Sequence, residues 1–121
     1  MANLTATITL SAGTDIANDS LALTQTVALP VQPPSANIGR VDVTTGAPYE
    51  IRAASVATNS YVYIKNLHAS NAINIRTAGG TVIGELDGGE WLFFPAKASV
   101  GIEVIALSST TEVEFGYWTT A

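Results

Sequence analysis

Apolar side chains recur at every second position through most of this chain, and glycines or clusters of Asn, Asp and Ser cut each run short. A period of two belongs to a strand with one buried face, because successive side chains of a pleated backbone point to opposite sides. No stretch sustains a helical period. The backbone must therefore find its hydrogen bonds by pairing strands, which leaves antiparallel sandwiches, jelly rolls and barrels as the available architectures. The fold expected is all-β, an antiparallel β-sandwich of jelly-roll-like type with an N-terminal strand-forming arm.

In chain order, Leu4, Ala6, Ile8 and Leu10 alternate with Asn3, Thr5, Thr7 and Thr9 as a first strand, and Gly13, Asp15 and Asn18-Asp19-Ser20 break it. Leu21, Leu23, Val27 and Leu29 repeat the pattern, with Gln25 in one inward slot. Pro30, Pro33 and Pro34 lack a backbone donor, so residues 30–36 are expected to be an extended, unpaired linker or edge. Ile38 to Val43 resumes a short strand. Further on, Tyr49, Ile51 and Ala53 alternate against Glu50 and Arg52. In Tyr61 to Leu67, Val62 and Ile64 oppose Tyr61, Tyr63 and Lys65. Thr77-Ala78-Gly79-Gly80 predicts a tight hairpin, and Asp87-Gly88-Gly89 predicts positive-φ turn positions. Trp91 to Phe94 is apolar on both faces, which predicts a central or covered strand ended by Pro95. Ile102, Val104 and Ala106 then face away from Glu103, Ile105 and Leu107, and Val113, Phe115 and Tyr117 from Glu112, Glu114 and Trp118.

All nine aromatic residues lie from Tyr49 onward, and only Asp15, Asp19, Arg40 and Asp42 are charged among the preceding residues. This change of composition near Thr44-Thr45-Gly46 predicts an N-terminal arm with a Pro-rich linker over residues 1–45 and a β-sandwich core over residues 46–121. The arm has too few large apolar side chains to offset the entropy of ordering it, so its strands should add to their own sandwich or to a neighbouring copy.

The remaining composition narrows the partners. Ten acidic against five basic residues give a formal charge of −5, which repels phosphate backbones and argues against nucleic acid. Cysteine is absent, which removes disulfides and thiolate metal sites. Trp91 to Phe94, the longest strongly apolar run, is too short to cross a bilayer. Met1-Ala2-Asn3-Leu4-Thr5 lacks the features of a signal peptide, so synthesis and folding in the cytoplasm are expected.

Candidate chemistry is sparse. His68 is the sole histidine, no nucleophile-elbow sequence accompanies it, and it is read as a solvated loop residue. Asp87 and Glu90 flank two glycines without calcium-loop spacing, so no metal site is assigned. Gly79-Gly80 and Gly88-Gly89 precede strands and no Gly-Lys-Ser/Thr follows, which excludes a phosphate-cradling loop. The sequons at Asn3-Leu4-Thr5 and Asn18-Asp19-Ser20 are attributed to chance in a Thr- and Asn-rich chain. No catalytic residue, cofactor or enzymatic activity is expected. Trp91, Trp118, Tyr61, Tyr63 and Tyr117 could form a platform for sugar rings, but packing is the favoured role. Tyr61, Tyr63 and Trp118 lie opposite their strands' aliphatic sets, which marks a surface for another subunit or for the arm.

Three segments together resemble small structural proteins of tailed bacteriophages: Tyr61-Val62-Tyr63-Ile64-Lys65-Asn66-Leu67-His68-Ala69-Ser70-Asn71-Ala72-Ile73-Asn74-Ile75, then Leu86-Asp87-Gly88-Gly89-Glu90-Trp91-Leu92-Phe93-Phe94-Pro95, then Val113-Glu114-Phe115-Gly116-Tyr117-Trp118. The resemblance spans Tyr61 to Trp118, about half the chain, and is one of pattern. It implies a non-enzymatic virion accessory protein, either a capsid decoration (cement) protein that binds the major capsid protein at the capsid surface or a head-fibre-like component. It also implies a homo-oligomer, with a trimer favoured. The alternative is a carbohydrate- or receptor-binding module of a tail fibre or head fibre.

Overall fold

A computed structural model describes residues 2–12, 21–32 and 38–120. It is all-β, with ten strands: β1 (Ala2–Ala12), β2 (Leu21–Val31), β3 (Gly39–Val43), β4 (Tyr49–Arg52), β5 (Ser60–Asn66), β6 (Ile73–Thr77), β7 (Val82–Leu86), β8 (Trp91–Ala96), β9 (Ile102–Ala106) and β10 (Thr111–Thr119). The chain divides into two compact units, one holding β1 and β2 and the other β3 to β10.

The larger unit is an antiparallel β-sandwich of two four-stranded sheets, ordered β3-β10-β5-β8 and β4-β9-β6-β7. The pairs β6 with β7, β5 with β8, β4 with β9 and β3 with β10 all run antiparallel. These four pairs describe one long hairpin whose tip is the β6–β7 turn, and the additional pairs β5 with β10 and β6 with β9 roll that hairpin up. The alternation read from sequence decides which side chains enter the space between the sheets. Val62 and Ile64 of β5, Ile73 and Ile75 of β6, Val104 of β9 and Val113 of β10 are all fully buried. β-Branched side chains dominate because they pack well on a pleated surface at little cost in rotamer entropy.

The smaller unit is a ribbon. β1 and β2 pair antiparallel over their whole length, from Ala2 opposite Val31 to Ala12 opposite Leu21. Among the described residues, their sheet has these two strands.

Four expectations need correction. The composition change near Thr44 is not where the chain divides, because β3 belongs to the sandwich: Val43 and Val41 pair with Thr111 and Val113 of β10. Pro30 is not an unpaired linker residue but meets the edge alternative, since it lies opposite Asn3 within the two-stranded ribbon; residues 33–36 of the expected linker, and the break expected within residues 13–20, lie outside the described residues. β8 is not central but an edge strand of its sheet. It continues past Pro95 to Ala96, as an edge can, because one row of its backbone donors has no ladder partner to lose. Arg52 was expected to point outward with Glu50. The register shifts between those two residues, and the irregularity turns both Ile51 and Arg52 inward, at 5% and 0% exposure.

Arg52 is held without a carboxylate. Its guanidinium donates to Ser60 Oγ (3.0 Å), to the carbonyls of Lys97 (3.0 Å), Val100 (2.6 Å) and Val56 (3.4 Å), and to that of Thr58. Five donors in a rigid fork can satisfy several carbonyls at once, so one side chain ties the β4–β5 loop to the β8–β9 loop. Burial pulls its pKa down from the ordinary value.

Candidate interaction surfaces

The residues singled out for chemistry are occupied by structure. His68 Nδ1 accepts backbone N–H groups from Ser70 (3.0 Å) and Asn71 (2.9 Å), and the His68 N–H donates to Asn66 Oδ1 (2.9 Å). Asn66 is fully buried, and its Nδ2 donates to the carbonyls of Asn71 (2.6 Å) and Leu86 (3.0 Å). The Asn66-to-Asn71 loop thus supplies its own acceptors, and His68 is a bonded member of it, half-buried, and not the freely solvated ring expected from sequence.

Glu90 is likewise engaged. Its carboxylate accepts the Asp87 N–H at 2.7 Å, and its own N–H donates to the Asp87 carbonyl at 3.0 Å, closing the turn between β7 and β8. The two glycines of this turn have different tasks. Gly89 has φ 82°, a left-handed conformation that favours glycine. Gly88 does not; a Cβ there would lie 2.4 Å from the Ala69 carbonyl oxygen, so it is the close approach of the Asn66–Asn71 loop that requires glycine. Among the described residues, no three His, Asp or Glu side chains stand together as a metal would need. Asn3 of the first sequon is exposed on β1, and Asn18 of the second lies outside the described residues.

The aromatic residues separate by strand parity. Tyr117 points between the sheets and packs on the core with Phe115, so it leaves the set of platform candidates. Tyr61, Tyr63 and Trp118 share the outer face of the β3-β10-β5-β8 sheet, and register brings Phe93 and Trp91 of β8 beside them, with Tyr63 opposite Phe93 and Lys65 opposite Trp91. Tyr61 and Phe93 stack, with centroids 6.1 Å apart and planes 14° from parallel. Trp118 lies over Gly116, where it and Ile38 occupy the space a side chain would take. Trp91 is 51% exposed. Phe93 was missed by treating Trp91 to Phe94 as one apolar block; the period of two within it was the available signal.

One end of this face is polar. Glu114 accepts from the Tyr63 hydroxyl at 2.8 Å and from Arg40 Nε at 3.1 Å. These two hydrogen bonds hold the Glu114 carboxyl below its ordinary pKa, the Tyr63 bond contributing most. Tyr63 moves the other way, to about 12, first through desolvation and then through its bond to Glu114. Trp118 and Tyr61 stand at the other end, while Trp91 on β8 is level with Lys65 and Glu114.

The ribbon offers a second surface. Register places Leu4, Ala6, Ile8, Leu10, Leu23, Gln25, Val27 and Leu29 on one side; Thr5, Thr7, Thr9, Ser11, Thr24 and Thr26 occupy the other, where Thr7 and Thr26 share a hydrogen bond of 3.1 Å. On the apolar side Ile8, Leu10, Leu23 and Val27 are 42%, 45%, 37% and 50% exposed. A third feature is an apolar cleft of about 190 Å³ lined by Ile75, Ile83, Gly84, Leu92 and Phe94, at the open side of the sandwich between edge strands β7 and β8. It is smaller than the roughly 300–1,000 Å³ of ordinary ligand pockets. Among the described residues, the extended surfaces are therefore larger than this cleft. Comparison with protein-family models, with curated proteins and with solved structures yields no match.

Proposed function

We propose that this chain is a non-enzymatic structural protein of a tailed-bacteriophage virion, a capsid decoration (cement) protein that binds the shell of major capsid protein and holds adjacent subunits together. The observation that carries the reading is the division of labour between a sandwich with its own core and a ribbon in which Val31 alone of the described side chains is buried. A chain built this way completes itself on partners. The rolled-hairpin order of the sandwich we read as a jelly roll, an architecture used by viral capsid and lectin domains; architecture alone does not carry function, and the surfaces do. The outer aromatic face, from Trp118 through Tyr61 and Tyr63 to Phe93 and Trp91, is the shell-facing surface in this reading. Aromatic anchors beside a fixed charge cluster are what specific interfaces use. Contacts that are individually weak suffice when repeated over a symmetric shell, and by mass action they raise the temperature at which the shell opens.

Purified shells of the cognate major capsid protein, mixed with this chain, test the proposal. Saturable co-sedimentation and a raised shell melting temperature are expected, both lost in Tyr61→Ala/Trp118→Ala. No binding by the wild-type chain would sink it. The second reading, a glycan-binding module, is favoured by the half-exposed Trp91 and the stacked Tyr61–Phe93 pair, since sugar rings dock on aromatic faces. It requires quenching of tryptophan fluorescence by a defined glycan, with no shell present.

A further inference from the structure

We infer that the β1–β2 ribbons of separate copies of this chain pack their apolar faces on one another, with Gln25 as the polar layer that sets their register. This deepens the reading of the ribbon as an assembly element and rests on it. An isolated two-stranded hairpin is marginal in water at best, yet this one pairs over 11 residues in each strand. Its apolar row, Leu4, Ala6, Ile8 and Leu10 with Leu23, Val27 and Leu29, needs a cover.

The identity of that cover follows from charge, polarity and area. Neither strand contains an Asp, Glu, Lys or Arg. Natural sheet edges are usually blunted by charges, especially Lys, that discourage pairing with another chain; this ribbon carries none. In a chain of formal charge −5, it is the one described sheet whose strands carry no charge, so it can meet its own copy without like charges facing each other. The one polar residue in the apolar row, Gln25, lies opposite Ile8. Against an unrelated apolar partner its amide would be buried without hydrogen bonds, which is costly. Around a symmetry axis the Gln25 amides of different copies meet, each supplying both donor and acceptor. A single polar residue in an apolar seam then specifies alignment and copy number at some expense of stability.

Area sets how tightly the copies hold. Eleven residues at about 3.3 Å span about 36 Å, and two strands are about 10 Å wide, so each face offers about 350 Å². Two faces bury about 700 Å², short of the roughly 1,000 Å² of a stable specific interface. Three faces closed about an axis bury about 1,050 Å² together but only about 350 Å² in each pairwise contact. Ribbon packing is therefore a weak contact that grows with concentration.

Sedimentation of the full chain in the absence of any shell tests this separately from capsid binding. The wild type is expected to exceed its 12.5 kDa monomer mass increasingly with concentration, and Val27→Glu to remain the monomer with the near-ultraviolet circular dichroism of the sandwich unchanged. Thr26→Glu puts the same charge one residue away on the other face and should leave the assembly intact. Gln25→Leu should hold together more tightly but with mixed copy number. Should any variant aggregate, hydrogen exchange on the wild type decides: amides of β1 and β2 must gain protection with concentration while those of β3 to β10 do not. A wild type monomeric at every concentration overturns the inference, as does equal response to Val27→Glu and Thr26→Glu. A copy number unchanged in Gln25→Leu removes the role given to Gln25.

Discussion

Tyr63 and Glu114 share one hydrogen bond and shift in opposite directions, so the pair can be read by titration. Tyrosinate absorbance should show one tyrosine ionising near 12, and Glu114→Gln should bring it down toward 10, stopping short because desolvation remains the larger cause. A neutral phenol favoured by folding contributes stability below the unfolded pKa of about 10. That contribution is lost as pH rises through 12. Glu114 gives the opposite slope: its depressed carboxyl contributes stability above the ordinary carboxylate range, lost as pH falls through its lower folded value. Arg52 admits no such compromise. Arg52→Met strands Ser60 Oγ and several loop carbonyls in the interior, and a loss of at least about 3 kcal/mol in urea unfolding is expected, since each buried acceptor left unpaired costs about 1–3 kcal/mol. Gly88→Ala should cost more than Gly89→Ala, about 1 kcal/mol for the latter, because the clash at Gly88 is with backbone that cannot step aside.

Among the elements, β8 and the ribbon solve the same difficulty differently. Both present free ladder groups. β8 blunts its edge with Pro95, and its outward rings shield one another instead of being covered by a second layer. The ribbon has Pro30 near the end of β2, but no charge and no aromatic ring on either strand. Removing residues 1–33 is therefore expected to leave the sandwich folded, with little change in its denaturation midpoint, because its core of β-branched side chains lies wholly within β3 to β10. The shortened chain should lose self-association. A peptide of residues 1–33 alone should show no stable strand signal in far-ultraviolet circular dichroism at low concentration. A truncated sandwich that unfolds would show that the ribbon is part of its core.

For the molecule as a whole, the proposed function divides the work of assembly between two surfaces, the aromatic face toward the shell and the ribbon toward other copies. Shell binding and self-association are thus expected to respond to different substitutions, Tyr61→Ala/Trp118→Ala and Val27→Glu respectively. Coupling between them would arise only through multivalency. If so, Val27→Glu should bind shells with lower avidity but an unchanged single-site affinity, measurable by comparing immobilised shells with an isolated capsid-protein subunit.

Period-two alternation alone determined that the chain is all-β, where most strands lie and which residues of β5, β9 and β10 face inward, because a pleated backbone gives each side chain only two directions. It also marked Tyr61, Tyr63 and Trp118 as outward. What local sequence could not carry depends on register and neighbours. A bulge in β4 sends Arg52 inward against its pattern, β3 joins the sandwich because β10 pairs with it, and Trp91 to Phe94 sits at an edge despite being apolar on both faces. Strand order sets all three, and it is decided by which distant segments meet when the long hairpin rolls up. The aromatic face is equally a tertiary product: Phe93 and Trp91 reach Tyr61, Tyr63 and Lys65 only because β8 pairs with β5, a match of backbone ladders that no single strand encodes.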